Sequence, residues 1–189
     1  MDVKRFWNQG YDQGIDYRQL TNDEVSNIVG MLPQNAKTAL DIGCGAGYFA
    51  SQLDRCGLKV TGIDVSDVAI DKSKDTRPSS ISFKVFDIEN DDIRKLGQFD
   101  VITMKLVFAF IEDKGGLVTK SNKIIRPNGT LIIINPVIRD SKRASDKALR
   151  ISVDDDITMM IENFGFKLKH RISTELSDNH DLVTYIFSK

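Results

Sequence analysis

The segment Ala39-Leu40-Asp41-Ile42-Gly43-Cys44-Gly45-Ala46-Gly47-Tyr48 constrains what this chain can fold into more than any other stretch. An apolar run that ends on an acid and then breaks into alternating glycines reads as a strand, a sharp turn and, from Tyr48 to Leu53, the start of a helix. Gly43, Gly45 and Gly47 allow the backbone to approach a ligand with no Cβ in the way, and the free N–H groups of the helix start point back at it. The spacing separates two kinds of cradle. A pyrophosphate cradle requires glycine at the sixth position of G-x-G-x-x-G, where this chain has Tyr48. The carboxylate of Asp41 also suits a ligand with a positive end better than one with two phosphates.

Strand and helix patterns alternate along the rest of the chain. Leu58 to Ser66 contains a strand that ends on Asp64, Ile81 to Ile88 alternates like a half-buried strand reaching Asp87, and Phe99 to Met104 is a further apolar strand. The turn Arg126-Pro127-Asn128-Gly129-Thr130 leads into Leu131 to Ile134. Thr21 or Asn22 caps a helix from Asp23 to Met31, Ser66 caps one from Asp67 to Asp75, a third covers Lys114 to Ile125, and Asp154 or Asp155 opens one that reaches Asn163 and stops at Gly165. Lys167 to Thr174 and Leu182 to Ser188 then read as closing strands joined by a polar turn, Glu175 to Asp181. Such alternation implies an α/β fold, a parallel sheet with helices on both faces, whose ligands bind outside the carboxyl ends of the strands.

An acid followed by x-Gly-x-Gly-x-Gly, as in Asp41 to Gly47, resembles the first motif of the class I S-adenosylmethionine-dependent methyltransferases. The elements from about Thr38 to Ile134 continue the resemblance in order. It implies a Rossmann-like sheet of seven strands, mostly parallel, in the order 3-2-1-4-5-7-6, with a reversed strand near its edge. It implies S-adenosylmethionine as cofactor, with Asp41 and the loop Gly43, Cys44, Gly45 and Gly47 at the methionine end, Asp64 at the ribose, Val65 on one face of the adenine, and Asp87 with Ile88 at its amino edge. Lys105, at the end of the fourth strand, belongs to the same cofactor-binding set. Aromatic N-terminal arms in similar proteins fold over the cofactor; here Phe6, Trp7, Tyr11, Tyr17 and Arg18 occupy that position.

Composition narrows the context. With 189 residues, 41% of them hydrophobic, the chain can bury roughly 70% of its unfolded surface, so one domain over 1–189 is expected, with 1–20 as arm or lid and 21–189 as core. The only cysteines, Cys44 and Cys56, are separated by a helix, which excludes a disulfide framework and points to a reducing, cytoplasmic setting. Leu106 to Ile111 is far too short to cross a bilayer and Met1 to Trp7 has no apolar leader core, so no membrane partner is expected. A net charge of −1 argues against an extended nucleic-acid footprint. Arg139, Lys142, Arg143, Lys147 and Arg150 form a local basic stretch that reads first as a solvated helix face and second as a surface for an acidic substrate.

The acceptor side is less defined. Met104-Lys105-Leu106-Val107 lacks the Pro-Pro-aromatic tetrapeptide of the amino-methylating branch, and Phe108-Ala109-Phe110 stands where many small-molecule enzymes carry a histidine, which implies an apolar pocket. Tyr11 and His180 are the candidate catalytic side chains, His170 reads as a strand residue, and no metal-ligand set is apparent. The leading expectation is an enzyme that methylates an O or N atom of a small molecule, acting as monomer or homodimer. A methyltransferase for protein or tRNA and a non-catalytic cofactor-binding partner subunit are the alternatives.

Overall fold

The computed structural model describes residues 2–15, 17–138, 154–177 and 180–189. The basic stretch Arg139 to Arg150 lies outside them. Among the described residues the elements run α1 Val3–Asp12, α2 Asn22–Gly30, β1 Thr38–Ile42, α3 Tyr48–Arg55, β2 Lys59–Asp64, α4 Asp67–Thr76, β3 Ser82–Val85, β4 Phe99–Lys105, α5 Lys114–Ile124, β5 Ile125–Ile138, α6 Asp154–Glu162, β6 Lys167–Ser177 and β7 His180–Ser188. The strands form one seven-stranded sheet in the order β3-β2-β1-β4-β5-β7-β6, parallel except where β7 runs against both β5 and β6. The order and the reversed strand are those expected.

Strand alternation divides the core into two layers. Leu40, Ile102, Leu131, Ile133 and Tyr185 pack under α5 and α6, while Ala39, Val60, Val101, Ile132 and Ile134 pack under α2, α3 and α4. Both faces of the central strands are buried, which is why they read as continuous apolar runs. Helix starts follow local chemistry. Thr21 and Glu24 make a reciprocal capping box, and the side chains of Ser66 and Asp113 accept the N–H groups of Ala69 and Gly116. No helix among the described residues is long and apolar enough to cross a membrane.

Three expectations of extent are corrected. β3 stops at Val85 rather than reaching Ile88, because the Asp87 carboxylate accepts the N–H groups of Glu89 and Asn90 and curls the chain off the ladder. The Arg126 to Gly129 turn is a bulge within β5, between the pairs Phe99↔Ile125 and Val101↔Thr130. The connection Glu175 to Asp181 is mostly strand, since pairing continues through Glu175↔Asp181 to Ser177↔His180.

The amino edge of the sheet is clamped by one acid. Asp100 Oδ2 accepts from the N–H groups of Lys37 and Thr38 and from the Thr38 hydroxyl, and Oδ1 pairs with Arg126 at 3.0 Å. Burial pushes its pKa up, but these donors outweigh it and hold the carboxyl at about 2. Asp100→Ala is expected to cost about 2 kcal/mol at pH 7 in urea unfolding. A depressed folded pKa contributes stability above the unfolded value near 4, so the gap between wild type and variant should close as pH falls from about 4 to about 2.

Candidate functional site

The carboxyl ends of β1, β2, β3 and β4 open into a cavity of about 420 Å³. Its floor is the turn after β1. Gly43 and Gly45 have φ of 66° and 54°, and each faces a neighbour that leaves no room for a side chain: a Cβ on Gly43 would lie 2.1 Å from Val107 Cγ2, and one on Gly45 would lie 2.5 Å from Tyr11 Oη. Gly47 does not line the cavity. It serves as the N-terminal boundary of α3 and faces Phe83 and Arg77 on the other side of the loop.

Two buried acids flank the floor. Asp64, at the end of β2, accepts Gly45 N–H at 3.0 Å and Ser66 N–H at 2.9 Å, so it ties the turn after β1 to the turn after β2. Burial pushes its pKa up, against the pull of the N–H groups of Ser66, Gly45 and Val65. Asp41 Oδ1 accepts from the Thr103 hydroxyl at 2.7 Å, across the parallel pair that sets these residues side by side. Asp41 Oδ2 is buried with no hydrogen-bond partner among the described residues. Burial raises the Asp41 pKa to about 6, offset in part by the Thr103 hydroxyl and Lys105 and reinforced by Asp64. Burial and the same two acids also hold the Cys44 thiol protonated, which makes it packing rather than a nucleophile.

The remaining expected residues divide between those the fold gathers and those it does not. Val65, Asp87, Ile88 and Lys105 line the cavity, and so does Tyr11. Asp87 lies two residues beyond β3 with its carboxylate already accepting from Glu89, Asn90 and the Asn90 side chain. The Lys105 ammonium reaches the carbonyl of Arg18 at 2.9 Å, while the Arg18 guanidinium pairs with Glu24 and not with the cavity. His180 is not on the wall: it is the first residue of β7, at the correct edge but separated from the glycine turn by β4 and β5. His170 sits within β6, against Ile186.

The roof comes from α1. Trp7 meets Phe110 edge-on at 4.9 Å between ring centres and Tyr17 at 5.8 Å, and all three rings line the cavity. Burial pushes the Tyr17 phenol up, so it is a hydrogen-bond donor at neutral pH. Two contributors carry no local sequence signal. Thr103 orients Asp41, and Arg77 donates to the Ala46 carbonyl at 2.9 Å while lying 3.6 Å over the Tyr48 ring, gripping the glycine turn from outside. Leu106, directly after β4, holds φ 62° on the cavity wall, a conformation that costs a branched residue energy and recurs at functional sites. With Asp41, Asp64, Asp87, Glu89 and Glu112 against Lys105, the lining favours a ligand that carries positive charge. No group of three or more His, Cys, Asp or Glu side chains in metal-binding arrangement occurs among the described residues.

Comparison with known proteins agrees with this geometry. Residues 40–133 match a family described as "Methyltransferase domain". A ubiquinone biosynthesis O-methyltransferase of Albidiferax ferrireducens is 25% identical over 103 residues, 52% of this chain and 41% of that protein. A malonyl-[acyl-carrier protein] O-methyltransferase of Acetivibrio thermocellus is 28% identical over 121 residues, 61% of this chain and 42% of that protein. The matched stretch thus spans less than half the length of these relatives. Among solved structures, magnesium protoporphyrin IX methyltransferase of Synechocystis PCC 6803 with bound SAH superposes with a TM-score of 0.73 at 16% identity, covering 99% of this chain and 97% of that one. A TehB-like SAM-dependent methyltransferase of Corynebacterium glutamicum gives 0.68 at 22% identity, covering 98% and 95%.

The electrostatics of Asp41 make a stability prediction. A raised folded pKa means the native state holds the proton more tightly, so the free protein loses stability as pH rises from about 4 through about 6. Asp41→Asn, which cannot ionise, is expected to raise the urea midpoint relative to wild type at pH 7.5 and to lose that advantage at pH 4.

Proposed function

We propose that the chain, which matches a methyltransferase domain over residues 40–133 and has the seven-stranded sheet of such enzymes, is a class I S-adenosylmethionine-dependent methyltransferase that transfers a methyl group to an O or N atom of a small molecule. The observation that carries the reading is Asp41 Oδ2, which has no hydrogen-bond partner among the described residues and is buried beside a glycine turn that no side chain fits, in an acid-rich cavity. A buried carboxylate oxygen with nothing to bind is costly unless a ligand supplies the donor. An ammonium group answers both the orphaned oxygen and the charge of the lining.

In this reading Asp41 and the turn Gly43-Cys44-Gly45 hold the methionine end, and Lys105 lies within reach of its carboxylate. Asp64 accepts the ribose hydroxyls with the lone pairs left by Gly45 and Ser66, Val65 and Ile88 flank the adenine, and the Asp87 turn faces its amino edge. Gly47 supports the turn from behind. When bound, the cofactor supplies a methyl group that is already activated. The chain's own task is then alignment and exclusion of water, effects worth up to ~7–11 kcal/mol. Residues 1–20 act as the lid: Trp7 and Tyr17 with Phe110 enclose the acceptor side, and the Tyr17 hydroxyl orients a polar atom there. With His180 off the wall, Tyr11 remains the candidate base. The O-methyltransferase relatives favour oxygen as acceptor atom, and the enclosed apolar wall favours a small molecule.

Calorimetric titration with S-adenosylmethionine, S-adenosylhomocysteine and NAD tests the reading directly. The first two should bind and NAD should not; NAD binding alone would refute it. Asp64→Ala is expected to weaken both by ~1.5–3 kcal/mol. Because the ammonium favours ionised Asp41, binding must expel a proton below pH 6, so affinity should rise as pH climbs through about 6 and level off above it. Asp41→Asn should bind more weakly and flatten that profile.

A further inference from the structure

Helix α1 carries Trp7 and Tyr11 into the cavity, yet buries none of its own residues. Its polar attachments converge on α4, close behind Asp64. Lys4 pairs with Asp67 at 2.8 Å on the surface, and Lys72 donates to the Tyr11 carbonyl. Asn8 does something different. Its Oδ1 accepts from the Ser66 hydroxyl at 2.7 Å and its Nδ2 donates to Asp67 Oδ1 at 2.7 Å, so both ends of one amide read the first turn of α4. Ser66 is fully buried; its N–H donates to Asp64 Oδ1, and its oxygen accepts Ala69 N–H, which leaves its single proton for Asn8. A hydrogen-bonded path therefore runs from the Asp64 carboxylate through Ser66 to the helix that carries the aromatic wall.

We propose that Asn8 is a positioning residue which couples occupancy of Asp64 by a vicinal diol to the docking of α1, so that a bound nucleoside tightens the hold on Trp7 and Tyr11 in the cavity wall. The inference rests on the methyltransferase reading. A helix held by a handful of polar contacts, each worth about 1 kcal/mol net, and by the edge-on packing of Trp7, with none of its residues buried, sits near the balance between docked and free. Two hydroxyls donating to Asp64 fix the turn that Ser66 belongs to, and with it the Asn8 amide that reads that turn from α1. The same coupling works in reverse, because a docked α1 must strengthen nucleoside binding by the factor that the nucleoside strengthens docking. Bound cofactor then favours acceptor binding, because it steadies the wall that the acceptor meets.

Trp7 is the only tryptophan in the chain, so its fluorescence reports α1 directly. Acrylamide quenching should fall when S-adenosylhomocysteine or adenosine is added to wild type, and should not fall with dideoxyadenosine, which lacks the diol. Asn8→Ala should lose this shielding and bind S-adenosylhomocysteine about tenfold more weakly, while still unfolding in one cooperative urea transition, since α1 buries none of its own residues. Lys4→Ala removes a tie of the same helix without touching Ser66 and should keep the shielding. Shielding that persists in Asn8→Ala, is lost equally in Lys4→Ala, or appears with dideoxyadenosine overturns the coupling. A wild type that binds S-adenosylhomocysteine by calorimetry with no change at Trp7 overturns it alone, whereas one that binds neither ligand overturns the methyltransferase reading as well.

Discussion

The Asp64 carboxylate is the point on which the site depends. By accepting one N–H from the turn after β1 and one from the turn after β2, it joins two loops that the paired strands bring alongside. Both contacts are buried, where a hydrogen bond to a carboxylate is strong and a missing one is expensive. The glycine turn is gripped again from outside by Arg77, and Ser66 passes the same anchoring on to α1. Floor and roof of the cavity thus share one anchor in addition to their own contacts.

Acids do opposite work at the two edges of the sheet. At the amino edge Asp100 has donors on both oxygens and a carboxyl held at about 2, the mark of a group whose role is to bind strands together. At the carboxyl edge Asp41 has one oxygen satisfied by Thr103, the other without a partner among the described residues, and a carboxyl raised to about 6. The second arrangement costs the free protein stability. Such a cost is typical of a group whose partner arrives with a ligand.

Much of this was legible in the sequence. The glycine turn, the acid at the end of β2 and the alternation of strand and helix are local signals, set by φ requirements, capping side chains and hydrophobic period. Asp87 misled in part, because a strand pattern that continues to Ile88 does not reveal that a carboxylate will cap its own turn. His180 misled more fully: topology put it at the right edge, but strand order put two strands between it and the glycine turn.

By itself the sequence determined the strands and helices, the cradle and the acids near the strand ends, because each follows from periodicity or from residues a few positions apart, while the strand order was implied by the resemblance of these motifs to a known superfamily. Only the tertiary structure decided that Asn8 reads Ser66, 58 residues away, that Thr103 satisfies just one oxygen of Asp41, and that Trp7, Tyr17 and Phe110 form one wall. These pairings arise where separate segments meet over the folded sheet, and a side chain carries no local mark of the neighbour it will meet there.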